Sequence, residues 1–407
     1  MEVGAKKRRL KLMQKEKEIE IPDHVFERII LNLPWKTVVG LKRLSKHWNS
    51  VISSPRFVRD YLGYDPNHKF CLVVKKSRIV FCALDARQLE WFRECHRKRA
   101  RENKVPMCDM LNYDVKSQTL ASDKQLSPST FFPTEWDPFF VTCCCDGIMC
   151  IALCDRLFLW NPKTCQHKML SLPDPDNNFP YRTWEAVGFG YDSSVGDYKL
   201  VRVPSGREGS VASKNRGVYV MTLNSNLWRR TAIEFPYFVD PGNNGQAVSS
   251  PDGNVYWFAR VAQTPVDIVL VGFNLARETY QQLALPPNVD NADNLMLGVL
   301  GGCISVGSSN KANECFQIWI MKGETWMEFA RFSGPANIEL LRPLYVTPDG
   351  ALLMYARAES YESQSLEDIL LIYHPKTATC NKLQIAGLPQ SSWGGVYVYN
   401  ESAVSFS

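Results

Sequence analysis

Residues 250–260 read SPDGNVYWFAR, and the same grammar returns at residues 347–357 as TPDGALLMYAR. In both, a hydroxyl residue and a proline precede Asp-Gly, an apolar run rich in aromatic and aliphatic side chains follows, and an arginine closes the unit. Asp-Gly is a strong hairpin signal because both residues tolerate positive φ, so an apolar run straight after it predicts a strand leaving a tight turn. Cys145-Asp146-Gly147-Ile148-Met149-Cys150 echoes the same start. A second element follows each of the three. It runs from Trp160-Asn161-Pro162-Lys163-Thr164 to Leu172-Pro173, from Phe273-Asn274-Leu275-Ala276-Arg277 to Leu285-Pro286, and from Tyr373-His374-Pro375-Lys376-Thr377 to Leu388-Pro389. An aromatic ends one strand, a tight turn follows, and the next strand leaves the sheet at Leu-Pro because proline has no N–H to give the ladder.

Strand-turn-strand units recurring at roughly 45–55 residues predict the blades of a β-propeller, in which each small sheet buries its faces against its neighbours. Six blades are expected, beginning near Phe70, Phe139, Trp184, Gln246, Leu295 and Leu341. Gly395 to Asn400 and Ala403 to Phe406 are placed to pair back into the first blade and close the ring. An open β-sandwich or two packed sheets is the alternative that strand counting leaves open. Residues 85–104, DARQLEWFRECHRKRARENK, interrupt the β pattern with helical composition and high positive charge, and are expected to be a surface insertion.

Upstream, residues 21–62 read IPDHVFERIILNLPWKTVVGLKRLSKHWNSVISSPRFVRDYL and change the period from two to helical. Val25, Phe26, Ile29, Ile30 and Leu33 line one helical face before Leu33-Pro34 breaks it. A second helix is expected from an N-cap at Thr37, carrying Val38, Leu41 and Leu44. Ser45 is placed to cap a third bearing Trp48, Val51 and Ile52, and Ser54-Pro55 to start a fourth. A module this small cannot bury so much apolar surface alone, which implies a partner or cover from the downstream domain. The division expected is therefore a basic arm (1–19), an all-α helical module (20–64) and an all-β domain (65–407), the last being the six-bladed propeller.

The helical segment resembles an F-box, on Ile21-Pro22, Leu33-Pro34, Lys36-Thr37-Val38, Ser45-Lys46-His47-Trp48 and Ile52-Ser53-Ser54-Pro55-Arg56-Phe57. Ile21 stands where leucine is usual, and Trp35 where a smaller apolar residue is usual. The β region resembles the F-box-associated domain of plant proteins, related in style to kelch propellers, on Cys145-Asp146-Gly147, Trp160-Asn161-Pro162, Gly188 to Asp192, Asp197 to Val201 and Asn226-Leu227-Trp228-Arg229. These resemblances imply the substrate-recognition subunit of a Skp1-cullin-F-box ubiquitin ligase, with a Skp1-like adaptor as partner, cullin reached through it, and a target protein held by the β domain. Pro22, Val25, Ile29, Leu33, Pro34, Val38, Leu41, Leu44 and Trp48 are the adaptor-contact candidates. For Leu41 and Trp48 a face turned to a partner and one turned to the module's own core have the same periodicity.

Target contacts are expected on loops around Asn177 to Trp184, Ser205 to Asn215, Arg260 to Thr264 and Glu359 to Ser365, with Arg182, Trp184, Arg260 and Arg357 as candidates. Arg260 and Arg357 share one repeat position, which suggests cations around one mouth, although solvated strand-end charges explain them as well. A scaffold bound to a Skp1-like protein, or a carbohydrate-binding module, is the competing function.

Composition narrows the classes. The net charge of +5 is modest and partly due to Lys6, Lys7, Arg8, Arg9 and Lys11, a solvated tail or a nuclear import signal, so nucleic acid is not the expected partner. The longest apolar run, Ile268 to Phe273, is far short of a membrane span. Thirteen cysteines, an odd number without the density of a secreted scaffold, fit reduced thiols in the nucleus or cytoplasm. Cys143, Cys144, Cys145, Cys150 and Cys154 lack zinc-knuckle spacing and read as core thiols, so no metal or cofactor is expected. No nucleotide-loop, nucleophile-elbow or metalloprotease motif is present, and the chain is expected to be non-catalytic.

Overall fold

The computed structural model describes residues 29–33, 35–64, 70–75, 108–114, 119–126, 140–152, 157–170, 186–204, 217–239, 246–261, 268–287, 289, 295–310, 315–334, 337–347, 349–359, 366–383, 395–400, 402 and 404. The basic arm and the basic segment 85–104 lie outside these residues.

Residues 29–31 are helical and are followed by α1 (Trp35–Leu41), α2 (Lys46–Ser53) and α3 (Pro55–Tyr64). The serine caps expected from the sequence are present. Ser45 Oγ accepts the Trp48 N–H at 3.1 Å, and Ser54 Oγ accepts the Phe57 N–H at 3.2 Å. Thr37 is not a cap: α1 already starts at Trp35, so Thr37 lies within its first turn. Leu44 lies outside α1. The helix stops at Leu41, one residue after Gly40, and the chain turns with the Leu44 N–H donating to Leu41 O at 3.0 Å.

Five sheets are each built of strands consecutive in the chain. They are β4 (Phe140–Cys145), β5 (Ile148–Ala152), β6 (Leu157–Asn161) and β7 (Gln166–Leu170); then β8 (Ala186–Asp192), β9 (Asp197–Val203), β10 (Gly217–Thr222) and β11 (Arg229–Glu234). Next come β12 (Tyr237–Phe238), β13 (Val248–Ser249), β14 (Asn254–Val261), β15 (Ile268–Asn274) and β16 (Thr279–Leu283); then β17 (Met296–Leu300), β18 (Cys303–Asn310), β19 (Cys315–Lys322) and β20 (Thr325–Ser333). The fifth holds β21 (Ile338–Val346), β22 (Leu352–Glu359), β23 (Leu366–His374) and β24 (Thr379–Leu383). The remaining strands β1 (Phe70–Lys75), β2 (Cys108–Asp114) and β3 (Thr119–Leu126) are joined by the last strand, β25 (Gly395–Asn400), in the order β25-β1-β2-β3. This is a β-propeller of five blades where six were expected from the sequence, although Gly395–Asn400 does pair back onto β1 as expected. The segment beginning at Phe70 contributes three strands, and its fourth comes from the far end of the chain.

Burial follows strand position. Every residue of β8 and β9 is buried, whereas the outermost strands β7, β11, β16 and β24 are largely exposed. All pairing is antiparallel, so turns between the first and second, and the third and fourth, strands of a blade gather at one end. These turns are tight. Asp146 (φ 47°) and Gly147 (φ 73°) form a two-residue hairpin with both residues left-handed. Cys165, Asn226, Glu278 and Ala378 take φ of 57°, 51°, 54° and 51° at matching places in the turns that close four blades. The segments between second and third strands, and between blades, leave from the other end. Among them are the four expected target loops, of which only Arg260, Val261 and Glu359 are described.

The ring is closed by the chain's two ends. β25 pairs with β1 from Phe70↔Asn400 to Lys75↔Gly395. The following residues are then held by Asn161, which is fully buried. Its Nδ2 donates to Ser402 O and Val404 O, both at 3.1 Å, while its Oδ1 accepts the Tyr399 hydroxyl at 3.0 Å. A Cβ at Gly147 would stand 2.3 Å from Asn400 O, so the hairpin and the C-terminal segment can approach only because that position is glycine. The Asn of Trp160-Asn161-Pro162 is thus a closing clasp.

A second device joins neighbouring blades. Lys199 on β9 is buried and pairs with Asp192 at 2.7 Å and Glu278 at 2.9 Å, and Glu278 also meets Arg229. Burial raises the Asp192 and Glu278 carboxyls, but hydrogen bonds from Lys199, Ser194 and Arg229 outweigh it and leave both below their ordinary values.

Two outcomes follow. Asn161→Ala leaves Tyr399 OH and two buried carbonyls without their partner, and should lower unfolding stability by about 2–4 kcal/mol in denaturant titration. Because the Asp192 and Glu278 carboxyls have lowered pKa values in the fold, their contribution is complete above the ordinary carboxylate range and lost as pH falls through the lowered values. Lys199→Met should weaken that acid dependence, leaving the part that Ser194 and Arg229 supply, and cost about 3–5 kcal/mol at neutral pH, since it leaves the buried Asp192 carboxylate without its cation.

Candidate docking site

The helical module has a small core of Ile30, Val38, Ile52, Phe57 and Tyr61, flanked by Leu31, Leu33, Leu41, Trp48 and Val51. Phe57 and Tyr61 stack with ring centroids 6.4 Å apart, and the Tyr61 hydroxyl donates to Leu33 O at 2.7 Å, tying α3 to the first turn. Against this core the expected adaptor contacts separate. Val38 is buried inward, while Ile29 and Leu44 stand 47% and 65% exposed. Leu33, Leu41 and Trp48 are half-buried, touching the core and remaining partly accessible. Pro22, Val25 and Pro34 lie outside the described residues. Ile29 and Leu44 are large apolar side chains left in water by a module too small to cover them, which is what an interface core requires of its anchors.

The opposite side of α3 attaches to the propeller. Val58 is fully buried in the large core cluster that includes Phe189, Tyr198 and Trp257. Beside it, Arg59 Nη2 donates to Pro251 O at 2.9 Å, Nε lies 3.7 Å from Asp146 Oδ2, and the guanidinium sits 4.7 Å from the centroid of the Tyr191 ring. Asp146 Oδ2 also accepts the Tyr198 hydroxyl at 3.1 Å. Burial pushes the Asp146 carboxyl up, and Arg59 and Tyr198 oppose that shift. Arg59 therefore binds three blades at once, and all its partners belong to the tight-turn end. Helical periodicity does not mark it out, because its partners Asp146, Tyr191 and Pro251 are far along the chain.

Of the target candidates, Arg182 and Trp184 lie outside the described residues. Arg260 and Arg357 sit on β14 and β22 near the opposite end of the blades. Arg357 Nε is 3.4 Å from Asp368 Oδ1, and Asp368 also accepts the Tyr355 hydroxyl at 2.6 Å. The Arg357 side chain is thus engaged within its own blade, neither a solvated strand end nor an open cation. Among the described residues no group of three or more His, Cys, Asp or Glu side chains could hold a metal ion, and no helix is long and apolar enough to cross a membrane.

The pattern of an F-box domain matches residues 19–60, and that of an F-box associated beta propeller domain matches residues 101–405. The chain belongs to the F-box associated β-propeller family. Similar proteins from Arabidopsis thaliana include an F-box/WD-40 repeat-containing protein, 23% identical over 74% of this chain and 64% of its own length. Another, an F-box/kelch-repeat protein, is 24% identical over 82% of this chain and 84% of its own. The chain thus spans just under two thirds of the first of these relatives. A solved structure similar in part is Kuenenia stuttgartiensis hydrazine synthase, 9% identical over 62% of this chain and 68% of that one with a TM-score of 0.39, a distant likeness that says nothing of chemistry. The F-box is therefore the exposed helical module, and the propeller is the body that Arg59 fixes to it.

Arg59→Ala removes one hydrogen bond, a partly buried ion pair and a cation–π contact. It should loosen the F-box from the propeller by about 1–3 kcal/mol, seen as faster amide exchange in α3 and in the turn at Asp146 with the propeller's inner strands unchanged.

Proposed function

We propose that the protein is the substrate-recognition subunit of a Skp1-cullin-F-box ubiquitin ligase. The observation that carries this reading is the exposed pair Ile29 and Leu44 on an F-box whose other side is fixed to a propeller. A Skp1-like adaptor would cover the exposed side, burying roughly 1,200–2,000 Å² in total if the complex is stable, with Leu33, Leu41 and Trp48 completing the interface beside Pro22, Val25 and Pro34. Cullin would be reached through the adaptor. The chain performs no chemistry in this scheme. It acts by placement, holding a target so that its lysines meet activated ubiquitin at high effective concentration.

Placement works only if the two modules keep a fixed relation, which is what Val58 and Arg59 provide. Because the F-box occupies the tight-turn end, the target is assigned to the other end, where Arg260 and Arg357 stand; Arg182 and Trp184 stay candidates on the sequence alone. The nucleus or the cytoplasm, where such ligases and reduced thiols coexist, is the compartment that fits.

The test is affinity purification of tagged wild type beside Ile29→Glu with Leu44→Glu, read by mass spectrometry. Both positions face solvent, so the variant should fold. A Skp1-like protein and cullin should co-purify with wild type, and the double variant should lose them by at least about a hundredfold in affinity, on the order of 1.4 kcal/mol or more per anchor. Absence of both from folded wild type would leave the chain a scaffold or a free-standing binding module.

A further inference from the structure

Arg342 on β21 lies where the inner strands of four sheets converge. Its Nη1 donates to Gln246 Oε1, just ahead of β13, and its Nη2 donates to Val396 O on β25. The guanidinium lies 5.4 Å from the centroid of the Tyr355 ring and 5.5 Å from that of Tyr397. Cys144 on β4 is close enough to interact with it electrostatically. The residue is 7% exposed, and its Nε finds no hydrogen-bond partner.

No carboxylate pairs with this guanidinium among the described residues. In the same blade, the buried Asp368 is committed to Arg357 and Tyr355. Arg357 adds a second positive charge that disfavours the first. A buried cation held by one amide oxygen, one carbonyl and two aromatic faces is under-compensated, since buried charges are ordinarily paired. The guanidinium has five N–H donors, and two are used. Nε–H is unused, and it lies on the edge of the guanidinium that, together with an Nη2 hydrogen, can take a carboxylate side-on. The guanidinium's neighbours Gln246 and Cys144 are both partly exposed.

We propose that the propeller axis is a carboxylate-binding site anchored by Arg342, with the Tyr355 and Tyr397 rings as its walls. The ligand is a carboxylate group, belonging either to a small organic acid or to an acidic side chain inserted by a bound protein. The site is independent of the adaptor interface and stands whether or not the chain works in a ligase.

The test uses the purified full-length chain and thermal unfolding in sodium malonate, against sodium chloride at equal ionic strength and neutral pH. Wild type should gain a saturable rise in Tm with malonate that chloride does not give, as linkage requires of a ligand that binds only the folded state. Arg342→Gln, which removes both the charge and the fork, should lose the response. Arg342→Lys, which keeps the charge without the fork, should bind malonate at least about tenfold more weakly and decides the matter if the Gln variant does not fold. A capped tri-glutamate peptide in place of malonate separates the sources: a response to malonate alone assigns a small acid, and a response to both assigns an acidic side chain. Coincident malonate and chloride curves in wild type, or an undiminished malonate response in both variants, would overturn the proposal.

Discussion

A ring of sheets stands only if its last blade is joined to its first, and here that junction is the pairing of β25 with β1. A propeller blade buries its faces against neighbours on both sides, so an open ring leaves two faces in water. The C-terminal segment reinforces the junction through one fully buried side chain, Asn161, which accepts from Tyr399 and donates to the backbone at Ser402 and Val404. Closure also determines where chemistry can sit. It brings inner strands from separate sheets together around Arg342, and it gathers the tight turns into one surface on which α3 rests.

The short helix α3 therefore has two duties. Phe57 and Tyr61 complete the F-box core, whereas Val58 and Arg59, their immediate neighbours, belong to the propeller. Dividing one helix between two cores makes the modules move as one, because rotating α3 to relax one contact breaks the other. Without such coupling, an anchored receptor would present its target over a wide range of positions and dilute the effective concentration on which the proposed mechanism depends.

Much of this was legible in the sequence because its carriers are local. Ser45 and Ser54 announce their helices by cap chemistry, and Asp146-Gly147 announces its hairpin by conformational tolerance. The repeated Asp-Gly and aromatic-turn elements gave the β architecture and the role of the C-terminal strand. What was hidden depends on partners far along the chain. Arg59 reads as a solvated helix charge until Pro251, 192 positions away, is placed beside it. Arg342 sits in an unremarkable apolar run until β25 returns to its side. The left-handed residues Cys165, Glu278 and Ala378 were equally silent, since their side chains carry no preference for that conformation and the surrounding hairpin imposes it. The blade count differs because the segment from Phe70 supplies only three strands of its own, fewer than the four or five of the other units.

The central claim is the proposal that exposed Ile29 and Leu44 of the F-box receive the adaptor while α3 holds the propeller to that module. Cryo-electron microscopy of the full chain reconstituted with a Skp1-like adaptor and cullin tests this most directly. The account predicts an adaptor seated on Ile29 and Leu44, a continuous rigid path through α3 into the turns at Asp146 and Pro251, and a clear opposite end of the propeller. Failure of the folded chain to assemble, or an adaptor bound to the propeller instead, would contradict it.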